Sequence, residues 1–348
     1  MIATAADPRA WETPGAELVA PGIYRIPLPL PGDSLRAVNV YALQREDKQV
    51  DLVDGGWAVE AAVTELDRAL TSIGSSIDRV GRVFVTHMHR DHYTLAVLLR
   101  RRYGTRVLVG AGEKRGLAAV AHHHDDLLPA PFVERMRWHG AGDLLDLIEA
   151  TDRDVMEPIN ADVWEEADSW LNDADRFEVG DHRLEVISTP GHTIGHSVFR
   201  VRTAGVLFTG DHVLPHITPS IGFEADSTGS PLTRYLSSLR LLLDLPDHRM
   251  LPAHGPVIDS THVRVREILE HHDVRLEKTM VAIERGGDNS RDVAAALPWT
   301  RRDRTLTDLP LFEQVLAVNE TAAHLEHLVE TGAVRRLETA AACRYAVK

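Results

Sequence analysis

The sequence predicts an α/β layered domain, and three observations carry that expectation. Short apolar runs arrive first at hairpin spacing and then alternate with segments of helical periodicity. That succession belongs to sheets covered by helices rather than to an all-β barrel. Several of the runs end in Gly- or Pro-bounded turns that hold His or Asp, where an open α/β sheet places its chemistry. No repeat of solenoid period and no low-complexity tract interrupts the pattern.

In chain order, Ile23 to Leu30 alternates apolar and polar residues and ends in a turn at Pro29, Pro31 and Gly32. Val38 to Leu43 and Gln49 to Val53 read as two strands joined by the charged Arg45-Glu46-Asp47-Lys48. Ala58 to Ile73 has helical spacing and stops at Gly74. Val80 to Thr86 is an apolar strand that opens directly into histidines. Leu95 to Arg102 reads as a helix and Arg106 to Val109 as a strand. The rhythm breaks from Gly112 to about Arg176, where Leu127, Phe132, Met136, Leu144 and Ile148 fall at mostly helical spacing. This stretch is expected to be a helical, lid-like insertion. Strand–turn–strand returns at Phe177 to Ser188 about Gly180-Asp181, followed by strands at His196 to Val201 and Val206 to Phe208. A helix at Leu232 to Leu243, a strand at Met250-Leu251 and a helix at His262 to Glu284 complete the unit expected over residues 1–285.

The chain has 348 residues and a net charge of −14, with 5% aromatic residues. Such a surface repels phosphate backbones and offers few stacking platforms, so a nucleic-acid partner is not expected. Cys343 is the single cysteine, which allows no intramolecular disulfide and fits a cytoplasmic location. Met1 to Pro14 contains no apolar leader, and no run is long enough to cross a membrane.

The chemistry is concentrated in Thr86-His87-Met88-His89-Arg90-Asp91-His92, which sets three imidazoles and a carboxylate close together directly after a strand. Imidazole is the usual nitrogen donor to zinc. In an extended segment His87 and His89 point the same way, leaving Asp91 and His92 to face a second ion. Three further turns follow apolar strands: Thr189-Pro190-Gly191-His192-Thr193, Phe208-Thr209-Gly210-Asp211-His212, and Pro252-Ala253-His254-Gly255. Seven donors exceed one tetrahedral shell but suit two ions sharing a carboxylate, with a hydroxide between them as nucleophile.

In this order the motifs resemble the metallo-β-lactamase-fold hydrolases, over roughly residues 20 to 285 apart from the insertion. The resemblance implies a four-layer αββα sandwich with the site on one edge. It assigns His87, His89 and His192 to one metal, Asp91, His92 and His254 to the second, and Asp211 to both. Asp54, in Leu52-Val53-Asp54-Gly55, matches the family's buried aspartate that props the metal loop. Aspartate at position 211, where true β-lactamases of this fold usually carry cysteine or serine, favours thioester, ester or lactone hydrolysis. Histidine at position 89, where flavodiiron reductases carry glutamate, favours two zinc ions, with manganese or iron as other acceptable divalent metals. Tyr93-Thr94-Leu95 replaces the small-residue pair common among relatives and alters the near pocket. The stretch Gly210 to His216 resembles a subgroup that includes the β-lactamase-like protein 2 type. There Asp91, Asp211 and His216 are expected to take a direct part in catalysis and His212 to support the ligands.

Residues 286–348 read as a separate small unit. Leu311 to Val318 and Glu320 to Glu330 are expected as two helices, with strands at Ala333 to Leu337 and Cys343 to Val347. This resembles the winged-helix-like unit of the same subgroup. It carries eight basic and nine acidic residues, so packing or a homodimer contact is expected of it rather than DNA binding. The expected activity is hydrolysis of a small-molecule acyl substrate. The other readings are a single-strand endoribonuclease, a non-catalytic metal-binding module and a diiron redox protein. The insertion's His122, His123 and His124 are expected to be solvated or to line the pocket, Trp138, Trp164 and Trp170 to pack in the lid core, and His139, His271 and His272 to be surface or packing residues.

Overall fold

The computed structural model describes residues 9–121, 130–150, 163–224, 229–300, 302–338 and 342–348. His122, His123 and His124 lie outside them. Seven strands form the first sheet in sequence order: β1 (Glu17–Ala20), β2 (Ile23–Pro29), β3 (Ala37–Gln44), β4 (Val50–Val53), β5 (Val80–Val85), β6 (Arg106–Gly110) and β7 (Ser169–Leu171). The first four are antiparallel, as hairpin-length loops require, and β4 to β7 are parallel. The second sheet holds β8 (Arg176–Val179), β9 (His182–Ser188), β10 (Ser197–Val201), β11 (Val206–Gly210) and β12 (Arg249–Pro252), with only β11 and β12 parallel.

The sheets face each other across Tyr41, Val53, Phe84 and Leu108 on one side and Val186, Phe199, Phe208 and Leu251 on the other. Helices α1 (Glu60–Ser72) and α2 (Arg90–Tyr103) cover the outer face of the first sheet through Leu66, Leu70, Leu95 and Leu99. Helices α6 (Pro231–Leu243) and α7 (Thr261–Glu284) cover the second through Leu232, Leu236, Val265 and Ile268. The layers are therefore α, β, β, α. The caps are local: Ser230 Oγ accepts from the Thr233 N–H with Pro231 in the first turn, and Ser260 Oγ accepts from the Val263 N–H.

Helix α2 begins at Arg90, earlier than the Leu95 start that apolar spacing suggests. Its first turn is occupied by Asp91 and His92, whose periodicity is set by ligand geometry rather than by the core, and no side chain caps it. Strand β7 is a second correction. It lies inside the stretch expected to be a helical insertion and extends the first sheet beside β6. The described helices of that stretch are α3 (Lys114–Ala121), α4 (Ala130–Trp138) and α5 (Gly142–Ala150). Trp164 stacks on Tyr93 at 6.0 Å, and it and Trp170 pack on the core under the first sheet.

The C-terminal residues depart furthest from expectation. They form α8 (Ser290–Ala296), which apolar spacing does not reveal, α9 (Leu311–Glu330), and the antiparallel pair β13 (Val334–Glu338) and β14 (Cys343–Val347). The two helices expected about Asn319 are one continuous helix. Asn is a poor helix former because its side chain competes for nearby backbone. Here Nδ2 of Asn319 instead donates to the Ile221 carbonyl at 2.9 Å, outside the helix, and the turn survives. Helix α9 is packed by α4, α5, α6, α7 and α8 and buries Val315, Val318, Leu325 and Leu328. Among the described residues α9 therefore offers no exposed face comparable to that of a recognition helix. Phe132, Met136, Leu144 and Ile148 from α4 and α5 share this core with the C-terminal residues. Among the described residues no helix is long and apolar enough to cross a membrane.

Candidate metal centre

The strand ends at one edge of the sandwich converge on a single place. β5 delivers His87, His89 and, through the first turn of α2, Asp91 and His92. The turn after β9 brings His192, the end of β11 brings Asp211, and the end of β12 brings His254. Each turn is locked from outside. Gly191 adopts φ +146°, and a Cβ there would lie 2.4 Å from the Tyr235 Cα, so no larger residue fits before His192. The His254 turn is held by β3: the Asn39 amide donates to the Pro252 and Gly255 carbonyls at 2.9 and 2.8 Å, and the Tyr41 hydroxyl donates to Pro252 at 2.7 Å.

The donor atoms fall into two groups, His87, His89, His192 and Asp211 on one side and Asp91, His92 and His254 on the other. In the first, the three imidazole nitrogens stand 2.9, 3.1 and 3.2 Å from one another. Zinc–nitrogen bonds of about 2.0–2.1 Å at tetrahedral angles place ligand nitrogens roughly 3.3 Å apart, close to this triangle. Asp211 reaches both groups. Its Oδ2 lies 3.6 Å from His192 Nε2 and 3.7 Å from His92 Nε2, and its Oδ1 lies 3.4 Å from His254 Nε2.

The outer nitrogens fix the tautomers. His192 Nδ1 meets the Ser220 carbonyl at 2.7 Å and His254 Nδ1 meets the Ala37 carbonyl at 2.8 Å. A carbonyl only accepts, so Nδ1 carries the proton and the Nε2 lone pair turns inward. His92 Nδ1 lies 3.0 Å from Asp54 Oδ2. The Thr86 hydroxyl donates to Asp54 and accepts from His87 Nδ1 at 3.0 Å, which gives His87 the same tautomer. Asp54 thus orients two rings, and it does so from the left-handed backbone region at φ +63°, a conformation that a non-glycine residue adopts only under constraint. The buried His92 Nε2, His254 Nε2 and Asp211 Oδ1 have no hydrogen-bond partner in the structure. Inward lone pairs, braced outer nitrogens and orphaned buried donors together fit a pair of divalent ions.

The two groups differ in charge. Burial, and after it the neighbouring histidines, holds His87 far below the usual imidazole range. Burial and then His192 lower His89 to about 3, and burial lowers His192 to about 4. In the second group burial would lower His92, but Asp91, Asp54 and Asp211 outweigh it and raise the ring to about 10. Burial would also lower His254, and Asp211 and Asp91 raise it instead. Burial alone would raise Asp91, but His92 and His254 hold it below the carboxylate range.

Of the other residues singled out by sequence, His212 is buried between Tyr235, 5.0 Å away, and His196, 5.7 Å away, and makes no hydrogen bond to the seven donors. His216 is exposed on the loop after Pro215, the ring that sits on Gly255 beside His254. The fully buried His196 does what was expected of His212. Its Nε2 accepts from the Asp211 N–H at 3.3 Å and its Nδ1 lies 2.9 Å from the Thr189 hydroxyl. The spacing His192-x-x-x-His196 is its trace in the sequence. Glu113 and Glu224 escape sequence reasoning altogether. Glu113 Oε1 accepts from the Thr193 hydroxyl and Glu224 accepts from the Ile194 N–H. Burial, with Glu224 adding to it, pushes the Glu113 carboxyl up to about 8. His139 and His272 are buried packing residues: His139 lies 3.1 Å from the Ser290 hydroxyl, and His272 pairs with His324 at 3.2 Å.

The sequence model of the metallo-beta-lactamase superfamily matches residues 33–254. A metallo-beta-lactamase family protein from Thermus thermophilus superposes with a TM-score of 0.75 at 30% identity, covering 94% of this chain and 99% of its own. A beta-lactamase domain protein from Burkholderia ambifaria gives 0.78 at 27% identity, covering 96% and 94%. A beta-lactamase-like protein 2 homolog from Caenorhabditis elegans is 26% identical over 80% of this chain and 78% of its own. The lactamase-like protein vrtG of Penicillium aethiopicum is 30% identical over 51% of this chain, which spans 57% of that relative's length. With that model matching well over half of its length, the chain belongs to the metallo-beta-lactamase superfamily.

Proposed function

We propose that this chain is a binuclear zinc hydrolase of a small acyl substrate, a thioester, ester or lactone. One observation carries the reading: seven donors in two groups that share Asp211. Five imidazoles and two carboxylates suit zinc among the divalent metals. When bound, two such ions supply Lewis acidity and a water ionised near neutral pH.

The chain's residues do the rest. His87, His92 and His254 are buried, whereas His89 and Asp91 are half-buried, so substrate enters over these two. Phe223 stands 6.5 Å from the His89 ring and is backed by Phe132 and Phe312 at 5.0 and 5.8 Å. This aromatic wall supports an apolar acyl group lying on the His89 side. His216, on the loop beside His254, is the side chain we assign to orienting the leaving group or passing it a proton. The single thiol, Cys343, is buried in the C-terminal core and plays no part as a nucleophile, and a cytoplasmic location goes with this reading.

The test joins metal content with turnover of an acyl-CoA thioester, an acyl-homoserine lactone, nitrocefin and single-stranded RNA. Two zinc ions per chain with thioester or lactone turnover is the expected result. RNA cleavage alone would overturn the substrate class. Absence of tightly held metal would overturn the site.

A further inference from the structure

Both loops that carry the three-imidazole group rest on one short stretch of chain, Gly110 to Gly116. The loop of His192 touches it backbone to backbone: a Cβ on Gly110 would lie 2.0 Å from the Gly195 carbonyl oxygen, and a Cβ on Gly195 would lie 2.3 Å from the Glu113 nitrogen. The loop of His87 and His89 rests on it through Met88, whose sulfur would be 2.4 Å from a Cβ on Gly116. Between these contacts lies the Glu113 side chain, fully buried. Its carboxyl accepts from the Thr193 hydroxyl, next to His192, while Gly116, three residues on, seats Met88, between His87 and His89. Glu224 takes the following N–H, that of Ile194.

We infer that Gly110–Gly116 is the clasp that sets the three-imidazole face of the centre, with Glu113 as its positioning residue. The inference rests on the metal-binding reading above. The physical argument is one of registry. His87 and His89 come from β5 and His192 from the turn after β9, so their nitrogens meet only if the two loops are held to a common reference. A shift of about half an ångström already spoils a coordination triangle. The stretch is that common reference, since Gly116 seats Met88 while Glu113 packs on Gly195 and accepts from Thr193. Side-chain hydrogen bonds one shell out from a ligand change metal affinity by about 10–100-fold when removed. Glutamine at this position keeps an accepting oxygen of the same reach, and alanine does not.

The experiment titrates the metal-free full chain with zinc against a chromophoric chelator and records the visible spectrum of the cobalt-loaded form. Glu113→Ala is expected to weaken one of the two ions by about 10–100-fold and to alter the cobalt spectrum. The other ion and the unfolding midpoint of the metal-free chain should change little. Glu113→Gln is expected to recover most of the loss. Unchanged affinity for both ions in Glu113→Ala overturns the clasp and leaves the metal centre standing, whereas a wild-type chain that holds no zinc defeats the metal reading itself. Equal weakening of both ions with a fall in metal-free stability also overturns it, because that pattern is general destabilisation. Should Glu113→Ala not fold, Thr193→Val decides. It removes only the donating hydroxyl and is expected to weaken the same ion several-fold, and wild-type affinity there overturns the proposal.

Discussion

The two donor groups on either side of Asp211 are built from the same residue types and prepared in opposite ways. In the first, burial keeps His87, His89 and His192 neutral at physiological pH, so three lone pairs converge with nothing to displace. In the second, Asp91, Asp54 and Asp211 raise His92 to about 10, and Asp211 and Asp91 raise His254, in both cases against burial. A cation entering the second group exchanges for protons already balanced by carboxylates. The difference lies in the surroundings rather than in the residue types. The carboxylates around each imidazole decide whether burial or charge sets its pKa.

Asp211 is where the comparison breaks most completely, because it is the one side chain among the seven donors facing both groups. Asp211→Ala is expected to lower turnover by at least about 10²–10³-fold, the loss that follows removal of one preorganised electrostatic group. It should also reduce bound metal from two ions to one or fewer by elemental analysis. Two ions retained at wild-type affinity would mean that the groups are independent and that Asp211 bridges nothing.

The charge difference gives a pH signature. The first group, with His89 at about 3 and His192 at about 4, has no proton to lose between about pH 5 and 8, so its affinity should be flat there. His92, raised to about 10, is protonated throughout that range, so binding at the second group releases a proton. Its affinity should rise as pH rises, up to about tenfold per unit for each proton released. Calorimetric titration in buffers of different ionisation enthalpy counts those protons. Equal release at both steps, or none at either, would sink the comparison.

Asp54→Asn sharpens it. Asn tolerates the left-handed backbone at this position and keeps one accepting oxygen. The charge that supports the proton on His92 and the braced hydroxyl of Thr86 is lost. Metal affinity should fall by about 10–100-fold at the second group and less at the first. The proton count of the second step should fall with it.

What the sequence makes legible follows from how locally each signal is written. His87, His89, Asp91 and His92 are nearly contiguous, and His192, Asp211 and His254 each sit in a Gly- or Pro-bounded turn after an apolar strand, so pattern alone finds them. Glu113 lies far from Thr193 in sequence, and a buried glutamate after a strand has no local mark. His212 reads as the supporting histidine because it adjoins Asp211. The chain turns there, and His196, from the neighbouring strand end, meets the Asp211 N–H instead. Helix α9 reads as two helices about Asn319 because propensity counts that residue against a helix, and its partner, the Ile221 carbonyl, lies on another element. These differences share a cause: each residue is defined by a partner that is not its neighbour in the chain.

A third charged cluster, remote from the centre, separates stability from metal chemistry. Glu185 on β9 binds Arg200 at 2.7 Å and Arg202 at 3.1 Å, with Arg176 at 3.3 Å. Burial would raise this carboxyl, but hydrogen bonds from Arg202 and Arg200 outweigh it and lower it to about 2. A carboxyl depressed by folding stabilises the native state above its unfolded pKa, about 4.3, and loses that contribution as pH falls toward about 2. Glu185→Gln is therefore expected to cost about 1.5–3 kcal/mol at about pH 7, the worth of hydrogen bonds to a charged group. By denaturant unfolding of wild type and variant, the gap should narrow between about pH 4.3 and 2 and stay constant above it. Metal content and the proton count should not change, because these hydrogen bonds join the four side chains to one another and to none of the seven donors. A variant that lost zinc as well would show that the second sheet transmits strain to the centre, and the two donor groups would then no longer be the units in which this molecule's electrostatics should be read.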